Sequence, residues 1–159
     1  MGQLCQTEDL TEDHKPDTPA EQARIERKGG RVFAPQYDDG IPGPARVWLA
    51  DADLPGLAMS RSLGDTVAKQ AGVVSTPECF SRRLVAEDRL LILATDGLWE
   101  FMTSQECVDI AARFMKGHRG NVASDPKAAS RALLEESTRR WKREEPVIDD
   151  TTILVVYLN

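Results

Sequence analysis

The sequence predicts an α+β fold, and three observations predict it. Two β-rich apolar runs, LLILAT at 90–95 and TTILVVYL at 151–158, lie about sixty residues apart. Two helical stretches fill the interval between them. A short helix and a hairpin precede the first run. The order helix, hairpin, strand, two helices, strand is not a regular βαβ series, so a parallel doubly wound sheet is excluded.

Each element follows from local signals. Residues 1–18 are polar and end in a turn-rich stretch, DHKPDTP. Residues 19–28 (PAEQARIERK) make a short helix. Proline opens it, acids come early and bases late, and Gly29-Gly30 stops it. RVFA at 31–34 and RVWLA at 46–50 form a hairpin. Its irregular tip carries three prolines and two glycines in residues 35–45. DADLPG reads as a turn, and GVVSTPE as extended chain, because Pro77 disfavours helix just before it.

After the core strand at 89–95, Thr103 or Ser104 caps a helix with Glu106 in its first turn. The predicted inward stripe is Val108, Ala111, Ala112 and Met115, and the predicted end is Lys116-Gly117. GHRGNVASD is a loop. Asp125 caps the next helix with Pro126 at its first position, and this helix runs to about 143. Its inward face carries Ala129, Leu133 or Leu134, and Trp141. The last strand covers 151–158.

The bulk numbers bound the function. A chain of 159 residues is near the size of one domain, and 41% apolar residues suffice for a core. A net charge of −6 argues against a nucleic-acid surface. Cys5, Cys79 and Cys107 show no CxxC spacing and read as free thiols in a reducing compartment. No apolar run reaches the roughly 18 residues of a membrane span. There is no signal-peptide core. MGQLCQ has Gly2 but places Gln6 where myristoylation wants Ser or Thr, so lipidation is not expected. A soluble cytoplasmic or nuclear protein is expected.

The chemistry centres on Asp96. A buried strand ends there in Asp-Gly, delivering a carboxylate at its exposed end, and Gly97 permits a sharp turn or a close approach. Asp149-Asp150 stands at the mouth of the last strand in the same way. Two carboxylates held at the ends of rigid strands suit a hard cation such as Mg2+ or Mn2+. An isolated Asp-Gly after a strand is usually only a turn, and Asp149-Asp150 alone reads as a solvated one. Trp99 anchors the strand end in the core. His14 and His118 lie in polar turns without a catalytic setting. The pairs Arg82-Arg83 and Arg139-Arg140 read as solvated faces.

Five ordered motifs raise the reading above single signals. They are TEDHKPDTPAEQARIERKGGRV (11–32), LAMSRSLGD (57–65), STPE (75–78), DRLLILATDGLWE (88–100) and DDTTILVV (149–156). In this order and spacing the chain resembles the metal-dependent protein phosphatases, the PPM or type 2C serine/threonine phosphatases, over about residues 10–158. The resemblance implies one partial domain across 1–159, the C-terminal part of a four-layer α-β-β-α sandwich. It also implies two Mg2+ or Mn2+ ions that activate a water against phosphoserine or phosphothreonine proteins, with no covalent intermediate.

By the same resemblance Asp96 and Asp149 are metal ligands. Glu100 stands where the family usually has Asp, at a weaker third metal position. Gly97, Asp65, Arg61, Ser60 and Asp150 support the site, Asp150 replacing the more usual Asn. The family's N-terminal segments, RxxxED, DGHGG and GDSR, are absent, and with them a further ligand Asp and the His proposed as general acid. A complete family domain of ~250 residues or more lies towards the upper end of ordinary domain size. The chain alone is therefore expected to bind Mn2+ weakly, to lack a two-metal centre and to be poorly stable, or to pair with another chain or the missing half, since its sheet edges would be open. The alternative reading is a non-catalytic pseudophosphatase or interaction module.

Overall fold

The computed structural model describes residues 5–36, 40 and 42–158. Gly2 lies outside these residues. The chain forms two compact units, residues 11–81, and residues 82–158 joined by the segment before residue 11.

In the 11–81 unit, helix α1 (Pro19–Arg27) begins at Thr18 with proline in its first turn and buries Glu21 and Ile25. Strands β1 (Arg31–Phe33), β2 (Arg46–Trp48) and β3 (Pro55–Leu57) make an antiparallel sheet in that order. The hairpin was legible as a sequence. Strand β3 was not, because a proline and a glycine inside three residues read as a turn. The structure places Pro55 on an edge strand, where a missing N–H costs no ladder bond. Helix α2 (Thr66–Gln70) was also missed, being only five residues long. Ile25, Val47, Ala68, Ala71 and Val73 form the core.

In the other unit, β4 (Leu90–Ala94) pairs antiparallel with β5 (Ile153–Tyr157) in unbroken register from Leu90↔Tyr157 to Ala94↔Ile153. Between them come the single-turn helix α3 (Asp96–Trp99), α4 (Ser104–Ala112), a 3-10 turn (His118–Gly120) and α5 (Pro126–Glu144). The caps are those expected. Thr103 and Glu106 form a reciprocal capping box, and the Asp125 carboxylate accepts from Ala128 N–H.

The interior of α4 differs from expectation. Ala111 and Ala112 are buried as expected, but Cys107 joins them and Ile110 and Phe114 pack on the core, so the stripe is rotated away from Val108 and Met115. The helix also stops at Ala112 rather than near Lys116. The Asn121 amide takes over the Arg113 and Met115 carbonyls, and the backbone turns at Gly117 with φ +85. On α5, Leu133 rather than Leu134 enters the core, together with Ala129, and Ser137 is buried as well. Tyr157 closes this layer by donating its hydroxyl to the Ala111 carbonyl at 2.7 Å. Burial pushes the Cys107 thiol up to about 12, which makes it a core residue and not a nucleophile. Among the described residues, no helix is long and apolar enough to cross a membrane.

Arg140 is not the solvated residue its dibasic sequence suggested. Its guanidinium donates to Glu106 at 2.6 and 3.0 Å, to Glu136 at 2.9 Å and to the Phe101 carbonyl at 2.7 Å. It thereby ties α5 to α4 and to the turn before it. Glu106 is held at about 2, chiefly by Arg140 and then by the Thr103 backbone. Glu136 is also held at about 2, by Arg139 first and Arg140 second. Both carboxyls sit below their ordinary 4.5 in the folded state. Their stabilisation is therefore complete above pH 4.5 and is lost as pH falls towards about 2. We expect Arg140→Met to be less stable than wild type at neutral pH, with the gap closing as pH falls from 4.5 to 2. Urea unfolding at stepped pH checks this, and a gap independent of pH would contradict it.

Candidate metal centre

The structure brings Asp96, Gly97, Asp149 and Asp150 onto adjoining chain segments at one end of the β4–β5 pair. The ladder continues past Ala94. Thr95 N–H donates to the Thr152 carbonyl at 3.1 Å, and Thr152 N–H donates to the Thr95 hydroxyl at 3.0 Å. That hydroxyl in turn donates to the Asp150 carbonyl at 3.1 Å. Thr95 thus stitches the end of β4 to the chain that leads into β5.

Gly97 explains why the approach is so close. A Cβ at this position would meet the Asp150 carbonyl oxygen at 2.6 Å and would collide with the Thr151 hydroxyl. Only glycine leaves room for the 149–151 backbone. On its other side the Gly97 carbonyl accepts from the Ser137 hydroxyl at 2.6 Å and from the Trp141 indole N–H at 2.7 Å. Trp99 donates to the Ala94 carbonyl at 3.0 Å and packs on the core, which is the anchoring role its position predicts. The turn is therefore clamped between α5 and the β5 approach, while Asp96, Asp149 and Asp150 remain exposed.

Each carboxylate is also set locally. Asp96 Oδ1 accepts from Gly97 N–H at 3.1 Å, and Asp149 Oδ1 accepts from Asp150 N–H at 2.8 Å. Glu100 caps α3 with helical backbone. It therefore lies four residues beyond Asp96 on the same helix face, exposed to solvent. Among the described residues, no group of three or more Asp, Glu, His or Cys side chains is close enough to hold a metal ion.

Ser60, Arg61 and Asp65 belong to the 11–81 unit. Ser60 and Arg61 enter a network around Glu21, which is 4% exposed. The Glu21 carboxylate accepts from Arg24 at 2.6 Å, from Arg61 at 2.7 and 3.1 Å and from the Ser60 hydroxyl at 2.5 Å. These donors, Arg61 foremost, hold its carboxyl far below the usual carboxylate range against the opposing effect of burial. Arg61 also donates to Glu78 at 2.8 Å and to the Thr76 carbonyl at 3.1 Å. His14 Nε2 lies 3.3 Å from Glu78. Asp65 is exposed, in the left-handed region at φ 46, and its side chain does not cap α2.

Reading the sequence missed Glu21, Thr95 and Ser137. An acid three residues before Arg24 hinted at the first. Nothing local marked the other two, because their partners lie 40 to 57 residues away in the chain.

Comparison with known proteins supplies the family. Residues 1–144 match the protein phosphatase 2C family. The chain is 41% identical over 154 residues to the rice (Oryza sativa subsp. japonica) "Probable protein phosphatase 2C 12", covering 94% of this chain and 36% of that one. It is 42% identical over 151 residues to the Arabidopsis thaliana "Probable protein phosphatase 2C 18", covering 94% and 28%. The crystal structure of a serine-threonine phosphatase 2C from Toxoplasma gondii superposes with a TM-score of 0.77 at 29% identity, over 96% of this chain and 47% of that one. The chain thus spans about a third of the length of the curated relatives it matches. It has the mixed α+β architecture, with antiparallel sheets and helices, of that structural neighbour. With a family match over most of its length and five family motifs in order, the chain belongs to the protein phosphatase 2C family.

Proposed function

We propose that this chain contributes one wall of the active site of a metal-dependent serine/threonine protein phosphatase, its two units forming one partial catalytic domain. The observation that supports the reading is the close approach of the Gly97 turn to the Asp150 carbonyl, which brings the chain segments that carry Asp96 and Asp149 next to each other at the ends of β4 and β5.

Two exposed carboxylates fit one partly hydrated Mg2+ or Mn2+, since Mg2+ commonly keeps several waters and takes one or two protein carboxylates. They do not fit a complete two-ion centre, because no third acidic or imidazole group joins them among the described residues. Asp96 and Asp149 would hold the ion, and Glu100, one turn along α3, would serve a weaker outer position. The ion supplies an activated water and neutralises phosphate charge. The chain's own contribution is rigidity. Ser137, Trp141 and Thr95 fix the turn from both sides, so the carboxylates are preorganised without spending binding energy on ordering them. In the same reading the Glu21–Arg61 network holds the 60–65 segment, with Asp65 and Asp150 as supporting residues. The substrates are phosphoserine and phosphothreonine proteins.

The incomplete donor set favours catalysis only together with further family residues, so a purely binding role is the second reading. The test is Mn2+ titration followed by NMR line broadening, beside hydrolysis of a phosphothreonine peptide. We expect weak Mn2+ binding that broadens residues 95–97 and 149–151, loss of that broadening in Asp96→Asn and in Asp149→Asn, and no turnover by the chain alone. Broadening elsewhere, or unchanged in both variants, overturns the assignment.

A further inference from the structure

Charge is spread unevenly over this chain. Its net charge is −6, yet residues 113–131, which run from the end of α4 into the first turns of α5, hold five Lys and Arg against a single acid, Asp125. The five are Arg113, Lys116, Arg119, Lys127 and Arg131, and all are exposed. Among the described residues none of them forms an ion pair. At the other end of α5, by contrast, Arg139, Arg140 and Arg143 are each paired with a glutamate. The Asp125 carboxylate is committed to the Ala128 N–H at 2.9 Å as the helix cap. The scaffold that carries the cations is closed on itself. Asp125 N–H donates to the Phe114 carbonyl at 2.9 Å, Lys116 N–H to the Ser124 hydroxyl at 3.0 Å, and Gly117 N–H to the Asn121 carbonyl at 2.8 Å. Lys127 and Arg131 stand one turn apart on one face of α5, a spacing at which like charges repel and cost stability until an anion answers them. The patch lies away from the candidate metal centre. Lys116 and Ser124 line a cleft with Val155, Val156 and Tyr157, the far part of β5, whereas Asp149 and Asp150 precede its first residue.

We infer that this face docks an acidic segment of a partner protein. Charge complementarity chooses the occupant. Clustered guanidinium and ammonium groups on a fixed loop recognise runs of Asp and Glu, which supply several carboxylates at once. Single-stranded nucleic acid would want aromatic rings for its bases to stack on, and the aromatic of this segment, Phe114, packs on the core instead. An anionic membrane is a plane that the rest of this net-acidic chain would meet as well, so repulsion there opposes the attraction here. A peptide strand meets the patch alone. The inference uses only the 82–158 unit and does not rest on the phosphatase reading.

The experiment titrates the purified chain into a fluorescein-labelled peptide of alternating Glu and Ser, and into the same peptide with Gln for every Glu, and follows fluorescence anisotropy. We expect the Glu peptide to bind, to weaken as salt is raised, and to bind far more tightly than the Gln peptide. The double variants Lys127→Glu/Arg131→Glu and Lys116→Glu/Arg119→Glu should each weaken binding by about tenfold or more, because each reversal replaces attractions by repulsions. Arg27→Glu/Lys28→Glu reverses two exposed cations of the other unit and changes net charge equally, and it should leave binding nearly unchanged. Circular dichroism checks that each variant keeps its fold, and either patch pair carries the test should the other unfold. No binding, equal binding of the Gln peptide, or equal losses in the patch and control variants would overturn the inference. Tighter binding to phosphatidylserine vesicles or to single-stranded DNA than to the Glu peptide would overturn the partner assigned. Peptide dephosphorylation is not read in this assay, so its outcome leaves the phosphatase reading untouched.

Discussion

Replacing Gly97 by alanine is expected to lower stability by about 1–3 kcal/mol, the usual range for forcing a methyl into a packed site. The added Cβ faces the Asp150 carbonyl oxygen at 2.6 Å, the Asp150 carbonyl carbon at 3.1 Å and the Thr151 hydroxyl. Two of these are backbone atoms, which cannot swing aside as the tip of a side chain can. Gly97 cannot retreat either, because Ser137 and Trp141 hold its carbonyl from α5. The strain must therefore push the 149–151 segment outward and stretch the bonds that Thr95 makes to Asp150 and Thr152. Asp96 and Asp149 should separate, and Mn2+ affinity should fall along with stability. Urea denaturation and a Mn2+ titration measure the two effects. Thr151→Ala removes one of the three collisions, so the Gly97→Ala/Thr151→Ala double variant should regain part of the loss. That non-additivity is the signature of direct contact. Additive losses would mean that Gly97 matters for another reason.

The Glu21→Ala variant should be costlier still, by about 3–5 kcal/mol, the range for removing one partner of a buried ion pair. Glu21 receives four donors in a site from which water is nearly excluded. Its removal takes the buried countercharge from Arg24 and Arg61, whose side chains are only 20% and 17% exposed, and leaves Arg24 with the Gly72 and Ser60 carbonyls as acceptors. Arg61 keeps Glu78, but that carboxylate is 65% exposed and screened by solvent. Glu78→Gln should accordingly cost far less than Glu21→Ala, because exposed pairs contribute little. The Glu21 carboxyl is depressed in the folded state, so its contribution is present above its ordinary 4.5 and fades only in strong acid. Thermal unfolding of both variants at pH 7 tests the ranking, and equal losses at the two positions would refute it.

Much of the architecture was legible without coordinates. Proline at a helix start, paired glycines at its end, Thr103 with Glu106 three residues on, and Asp125 before Pro126 are local devices, and each marks its helix boundary where expected. The two apolar runs are strands because β-branched and leucine side chains continue without a break or a turn residue. What failed were the features that depend on neighbours. The inward face of α4 is set by what packs on it: Ala111 and Ala112 enter the core as expected, but Cys107 outcompetes Val108 and Met115 for it. Arg140 left the solvent because Glu106 and Glu136 converge on it from two helices. Single turns such as α3 and three-residue strands such as β3 carry too few residues to show a period.

The candidate site divides in the same way. The sequence by itself determined which residues are the candidates for the chemistry. Asp96 after one strand and Asp149 before another are marked by the change from apolar run to carboxylate, and the ordered motifs fixed the family. Only the tertiary structure decided that these two strands pair with each other. It also decided that Gly97 lets the 149–151 backbone close on it, and that Ser137, Trp141 and Thr95 clamp the junction from partners 40 to 57 residues distant. The physical reason is range. A strand's character and a helix cap are written in adjacent residues, whereas a site is a meeting of segments. Which segments meet is set by the burial of the β4 and β5 side chains against α4 and α5.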